Sequence, residues 1–164
     1  MKVNLGSGEN ILDGYVNVDN RAIADIKKYI GIESLSPEIY KVKEAVIRNS
    51  AEHFPNFRFW VEDLASCCIN GCIWKITVPY ATSTMFNLVN PYHISPLFTE
   101  NTFRFFEDIY KREMPKTFKL KILKTKFEYN KDLWGIHTKK KWADMRLKYF
   151  NVVMSMYQEI EVIK

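Results

Sequence analysis

A chain of 164 residues, 47% apolar and 15% aromatic with only 6 Gly and 6 Pro, has the length of one domain and the composition of a packed core. Disordered, collagenous and low-complexity chains need very different compositions and are excluded. The net charge of +5 is uneven, because residues 111–149 hold 13 Lys/Arg against 4 Asp/Glu while residues 1–110 hold 10 against 13.

No run approaches the roughly 20 apolar residues of a membrane span, and no signal-peptide pattern opens the chain. A cytoplasmic protein with no membrane partner is expected, with one domain over residues 1–164. Residues 2–5 and 15–18 read as short strands, brief and β-branched or apolar, bounded by Gly, Asp and Asn. Between them Gly6-Ser7-Gly8-Glu9-Asn10 is a glycine turn. Residues 55–69 place Phe57, Trp60, Val61, Leu64 and Cys68 at helical spacing, with Pro55 suited to the first turn and Asn70-Gly71 to the stop. A strand over 73–78 follows, closed by Pro79. Helix, glycine turn and strand in succession indicate an α/β sheet.

A second helix is expected from Thr99, capped by its hydroxyl with Glu100 at the positive end, turning Phe103, Phe106 and Tyr110 inward. A third runs from about Lys141, with Trp142, Met145, Tyr149 and Val153 on one stripe. Between them Phe118, Leu120 and Ile122 alternate with lysines, and then the phase slips to Leu123 and Phe127, the mark of a β-bulge. The last run alternates Met154, Met156, Ile160 and Val162 against Tyr157, Glu159 and Glu161, so antiparallel pairing would set acids across from lysines.

Cys67, Cys68 and Cys72 are too few and wrongly spaced for a disulfide framework or a closed zinc site, and read as reduced core thiols. Met145, Met154 and Met156 fit core filling, and no metal is expected. Trp60, Trp74, Trp134 and Trp142 read as core or loop anchors. The basic block over 111–149 reads either as a solvated surface or as a nucleic-acid-binding face using Lys119, Lys121, Lys124 and Lys126.

The glycine turn admits two readings. It is either a plain tight turn or a place where backbone N–H groups approach a ligand while Asp19, ending the next strand, accepts ribose hydroxyls. The dinucleotide fingerprint fails, because Ile11 stands where its third Gly belongs and Asp19 comes too early.

The opening Lys2-Val3-Asn4-Leu5-Gly6-Ser7-Gly8, then Leu12-Asp13-Gly14-Tyr15 and a strand ending at Asp19, resembles a compact class I S-adenosylmethionine-dependent methyltransferase group. This is the methyltransferase type 11-like group associated with glycan pathways. Ala24-Asp25-Ile26, Ser50-Ala51-Glu52-His53-Phe54, Asn70-Gly71-Cys72-Ile73, Val78-Pro79 and Asn90-Pro91-Tyr92-His93-Ile94-Ser95-Pro96-Leu97-Phe98-Thr99 resemble later segments of that group, in order. The resemblance implies a Rossmann-like, mostly parallel sheet with an antiparallel C-terminal hairpin and reduced N-terminal helices. It implies S-adenosylmethionine as cofactor, with Gly6, Ser7 and Gly8 under its amino-acid part, Asp19 on the ribose, and Leu35, through its backbone, and Asn49 completing the set. Tyr29 stands where the group often has Asp, and could stack on the base.

Methyl transfer to a hydroxyl needs alignment and a proton acceptor. His53 and His93 fall in segments of the resemblance and are the candidate catalytic residues; each could instead cap or pack. His137, in a Lys-rich loop, reads as solvated. Tyr80 and Tyr92 flank the expected acceptor loop. The function implied is O-methylation of a sugar or another small hydroxylated acceptor. Two alternatives remain open at this point: a non-catalytic protein that keeps the fold, and a nucleic-acid methyltransferase using the basic block.

Overall fold

The computed structural model describes residues 1–21, 23–83, 93, 97–106, 117–130, 145 and 153–164. Its elements are β1 (Lys2–Leu5), β2 (Val16–Asp19), β3 (Ile26–Lys27), β4 (Val42–Arg48), α1 (Phe57–Cys67), β5 (Cys68–Pro79), β6 (Lys119–Tyr129) and β7 (Val153–Ile163), with short 3-10 turns at Ala51–His53 and Thr102–Phe106. The strands form one seven-stranded sheet in the order β3-β2-β1-β4-β5-β7-β6. Strands β1 to β5 run parallel, and β7 enters antiparallel between β5 and β6.

Strand alternation gives the sheet two unlike faces. On one, Val3, Leu5, Ala45, Ile47, Trp74, Ile76 and Ile160 are buried and join Trp60, Val61, Leu64 and Ala65 of α1 in a single core. The other face carries Lys2, Glu44, Lys75, Thr77, Tyr157 and Glu159, all partly exposed. Parallel sheets usually bury both faces under helices. Here the chain passes from β1 to β2 through turns with no helix, so the polar face needs another means of holding its loop. Buried Asn4 and Asn17 provide it. Asn4 Nδ2 donates to Asn17 Oδ1 and to the Asn10 carbonyl, Leu12 N–H donates to Asn17 Oδ1, and Asn17 Nδ2 donates to Asp25. The Asn17 backbone and side chain together hold the Asp25 carboxyl below its ordinary range.

Glu44 sits at the centre of this face, accepting from Lys75 Nζ at 2.7 Å and from the Tyr15 hydroxyl, with Lys2 Nζ at 3.9 Å. The Lys75 and Tyr15 contacts hold its carboxyl below the ordinary value, and its hydrogen bonds push the Tyr15 hydroxyl and the Lys75 ammonium up. A carboxyl held down in the folded state adds stability that is fully present above its unfolded pKa and lost as pH falls through the folded one. Glu44→Gln is therefore expected to flatten the acid limb of stability. Urea midpoints measured across about pH 3 to 6 check this; a wild-type limb as steep as that of the variant would contradict it.

The C-terminal hairpin follows the alternation read from the sequence. Lys121 faces Glu161 and Lys124 faces Glu159, and the register shifts between Ile122 and Lys124, where the bulge was expected. The Lys–Glu pairs, at 3.9 and 3.6 Å, offset part of the basic stripe. Cys67, Cys68 and Cys72 are buried free thiols.

Three expectations change. Asn70-Gly71 does not separate helix from strand: α1 ends at Cys67 and β5 begins at Cys68, with the Asn-Gly pair inside an irregular stretch where β4 partners jump from Cys68 to Ile73. The segment after Thr99 is a 3-10 helix, Thr102–Phe106, and Glu100 accepts from the Tyr80 hydroxyl at 2.6 Å rather than only facing a helix end. Val153 opens β7 and is buried in the sheet core, not on a helical stripe. Met145 is helical and half-buried. Tyr92, Tyr110, Trp134, His137, Trp142 and Tyr149 lie outside the described residues. Among the described residues, no helix is long and apolar enough to cross a membrane.

Candidate active site

The strand order reverses direction at β1, which has β2 on one side and β4 on the other. At such a switch point the loops leaving the carboxyl ends of two adjacent strands diverge and leave a crevice. A cavity of about 770 Å³ lies there, within the range of small-molecule sites. Its floor is Gly6, Ser7 and Gly8 after β1; Asp19, Asn20 and Arg21 stand at the end of β2; Arg48, Asn49, Ser50 and His53 stand at and beyond the end of β4; Tyr29, Ile30 and Ile32 form a side wall.

The floor is fixed by hydrogen bonds that leave its upper surface open. Gly6 N–H and Ser7 N–H both donate to the Val18 carbonyl, at 2.8 and 3.3 Å. Gly8 N–H donates to Asp19 Oδ2 at 2.9 Å, and Arg21 N–H donates to Asp19 Oδ1 at 3.0 Å. The carboxylate thus sits at the rim with lone pairs remaining on each oxygen. A side chain placed on Gly8, at φ +53°, would meet nothing nearer than Arg21 Nη1 at 3.9 Å, so the space over this glycine belongs to the cavity. Ser7 is buried, and its Oγ has no hydrogen-bond partner among the described residues. An orphaned hydroxyl beneath an open glycine is suited to a polar ligand.

Of the residues singled out from sequence, Gly6, Ser7, Gly8, Asp19, Asn49 and His53 line this cavity, as does Tyr29. Leu35 does not. It is buried, its N–H donates to Asp63 Oδ2 at 2.8 Å, and its carbonyl accepts from Ile39 N–H, so its backbone is engaged inside the fold. His93 does not line the cavity; its ring is edge-on to that of His53 with centroids 4.6 Å apart. Tyr80 is buried against Phe127 and does not line the cavity.

Two further residues matter. Arg48 follows Glu44 and Val46 on the polar face and ends β4 beside the glycine floor; it makes no ion pair among the described residues. Nothing in its local sequence marks it, since a charge ending a strand is ordinary. Glu52, beside His53, is 1% exposed, and burial pushes its carboxyl up to about 7.

No family model and no curated protein sequence matches the chain. Solved structures do. The chain is similar to a SAM-dependent methyltransferase from Archaeoglobus fulgidus, with a TM-score of 0.62 and 14% identity, covering 98% of this chain and 85% of that one. It is similar to coclaurine N-methyltransferase bound to N-methylheliamine and SAH, with a TM-score of 0.60 and 9% identity over 98% of this chain and 66% of that one. The plantazolicin methyltransferase BpumL, in complex with a pentazolic desmethylPZN analogue and SAH, gives a TM-score of 0.54 and 14% identity over 99% of this chain and 76% of that one. The sheet is the Rossmann-like, mostly parallel sheet of class I methyltransferases, closed by an antiparallel hairpin.

Proposed function

We propose that the protein is an S-adenosylmethionine-dependent methyltransferase acting on a small hydroxylated acceptor, with a glycan as the acceptor class implied by the resemblance of its N-terminal half. The observation that carries this reading is the floor of the switch-point cavity: an open glycine over a buried Ser7 hydroxyl with no hydrogen-bond partner among the described residues, with the Asp19 carboxylate at the rim.

Gly6, Ser7 and Gly8 would pass under the amino-acid part of the cofactor, Asp19 would accept from the ribose hydroxyls, and Tyr29, Ile30 and Ile32 would flank the base. Asn49, with φ +48° and its N–H donating to the Thr77 carbonyl, shapes the loop between them. The usual source of positive potential near the cofactor carboxylate is a helix N-terminus. Among the described residues no helix follows β1 and Arg48, on the same face, makes no ion pair, so it takes over the task. When bound, the cofactor supplies an electrophilic methyl group. The chain's own work is to align the acceptor, exclude water and receive a proton, for which His53, on the cavity wall with His93 beside it, is placed.

Calorimetry separates these roles. Asp19→Ala is expected to weaken S-adenosylhomocysteine by about 1–3 kcal/mol, the worth of hydrogen bonds to a charged group. Asp19→Asn, which keeps an acceptor for Gly8 N–H, controls for loosening of the loop. Arg48→Gln should weaken S-adenosylhomocysteine but leave 5′-methylthioadenosine, which has no carboxylate, unchanged. Absence of binding by the folded wild-type chain would sink the whole reading; equal losses for both ligands would remove Arg48 from the carboxylate.

A further inference from the structure

We propose that Glu52, His53 and His93 form a binding site for a divalent transition ion of the zinc class, beside the cavity that His53 lines, whose occupation opposes methyl transfer. One ligand atom from each of the three residues lies within 4.8 Å of the other two. Two imidazoles and a carboxylate are a ligand set zinc uses where it keeps a fourth position open, whereas magnesium and calcium favour all-oxygen sets.

A second observation points to a cation. Glu52 is 1% exposed, and its Oε2 has no hydrogen-bond partner among the described residues. Its chain neighbour Ala51 and nearby Phe54 are buried and apolar. An anionic oxygen in such a place is costly unless something positive reaches it, and an ion between it and the imidazoles does so. Zinc ligand atoms about 2.0–2.2 Å from the metal stand roughly 3.3–3.6 Å apart in a tetrahedral set. The separations here exceed that by at most about 1.5 Å, a distance that rotation of two half-buried imidazoles covers.

The consequence for activity rests on the methyltransferase reading, but the binding does not. A bound ion engages the imidazole lone pairs that proton acceptance needs, so metal and turnover compete for the same nitrogens.

The test uses the metal-stripped full chain, titrated with Zn²⁺ by calorimetry and with Co²⁺ by visible absorption. One ion per chain is expected, and the cobalt spectrum should lack a thiolate-to-cobalt charge-transfer band. Glu52→Gln, His53→Asn and His93→Asn should each weaken binding at least about tenfold, the least that removing a direct ligand should cost when loss of supporting contacts already costs that much. Cys68→Ser should leave binding unchanged. If Glu52→Gln fails to fold, the two histidine variants decide the matter. No binding, binding unaltered in the histidine variants, or a thiolate band, which would place the ion on the buried cysteines, each overturns the proposal. S-adenosylhomocysteine titrated into the metal-free chain keeps the two readings apart: its failure to bind while zinc binds removes the methyltransferase reading and leaves the metal site.

Discussion

Gly6→Ala is expected to destabilise the protein by about 2–5 kcal/mol, roughly twice the cost of Gly8→Ala two residues on, although both glycines sit at positive φ on the same cavity floor. A Cβ at Gly6 would fall 2.5 Å from Ser50 Cβ, 2.6 Å from its Oγ and 2.9 Å from Phe54 Cζ. Ser50 cannot withdraw freely, because its hydroxyl donates to the Leu5 carbonyl at 3.1 Å and ties the end of β4's loop to the end of β1. Overpacking costs about 1–3 kcal/mol and a left-handed backbone for a side-chain-bearing residue another 1–2. At Gly8, φ +53°, only the second cost applies, since nothing but Arg21 approaches. Gly8→Ala should therefore fold and lose cofactor affinity, whereas Gly6→Ala should show a sharply lowered urea midpoint. Equal midpoints for the two variants would contradict the packing at Gly6.

The parts of the fold that were legible in the sequence are those in which one residue pattern serves one physical purpose. In β6 and β7 each strand has an apolar and a charged face, so alternation revealed the strands, the Lys–Glu pairing and the bulge at Leu123. The central strand β4 was not legible from alternation, because Ala45, Val46 and Ile47 are buried in succession while Glu44 is held in a charge network. The break expected at Asn70-Gly71 failed because those residues serve an irregular β4–β5 register and not a helix end. The candidate site divides in the same way. Gly6, Gly8 and Asp19 were visible because a glycine turn followed by a strand-ending acid needs those residue types in one short stretch. Arg48 was not, because what makes it notable is its place beside the glycine floor and the absence of an ion pair among the described residues; for Glu52, weighed from sequence as an orienter of a histidine or a helix start, the depth of burial was not legible, a property that arises only when distant segments meet. Leu35 was assigned by resemblance alone, and Asp63 on α1, remote in sequence, takes the N–H it would have needed.

His53→Asn is expected to lower turnover by about 10²–10⁴-fold, the usual effect of removing a general base, while leaving the affinity for S-adenosylhomocysteine unchanged. The reason for placing the larger effect at His53 is that it lines the cavity while His93 does not, its ring meeting that of His53 edge-on at 4.6 Å between centroids. His93→Asn should therefore cost less, acting through the orientation of His53. Asparagine keeps a polar group near each position but cannot act as a proton acceptor, so the loss should fall on kcat in His53→Asn and be smaller in His93→Asn. The assay is run with chelator present, so that metal on these nitrogens does not mimic the loss, against a panel of small hydroxylated acceptors at saturating cofactor. If both variants keep full turnover, proton acceptance by these imidazoles is refuted, and transfer then depends on alignment alone, as it does for acceptors acidic enough to ionise unaided. If turnover falls only in step with the unfolding midpoint, the pair is structural. A loss confined to kcat at His53, with KM and cofactor affinity held, is the result that only a proton acceptor at the cavity wall produces.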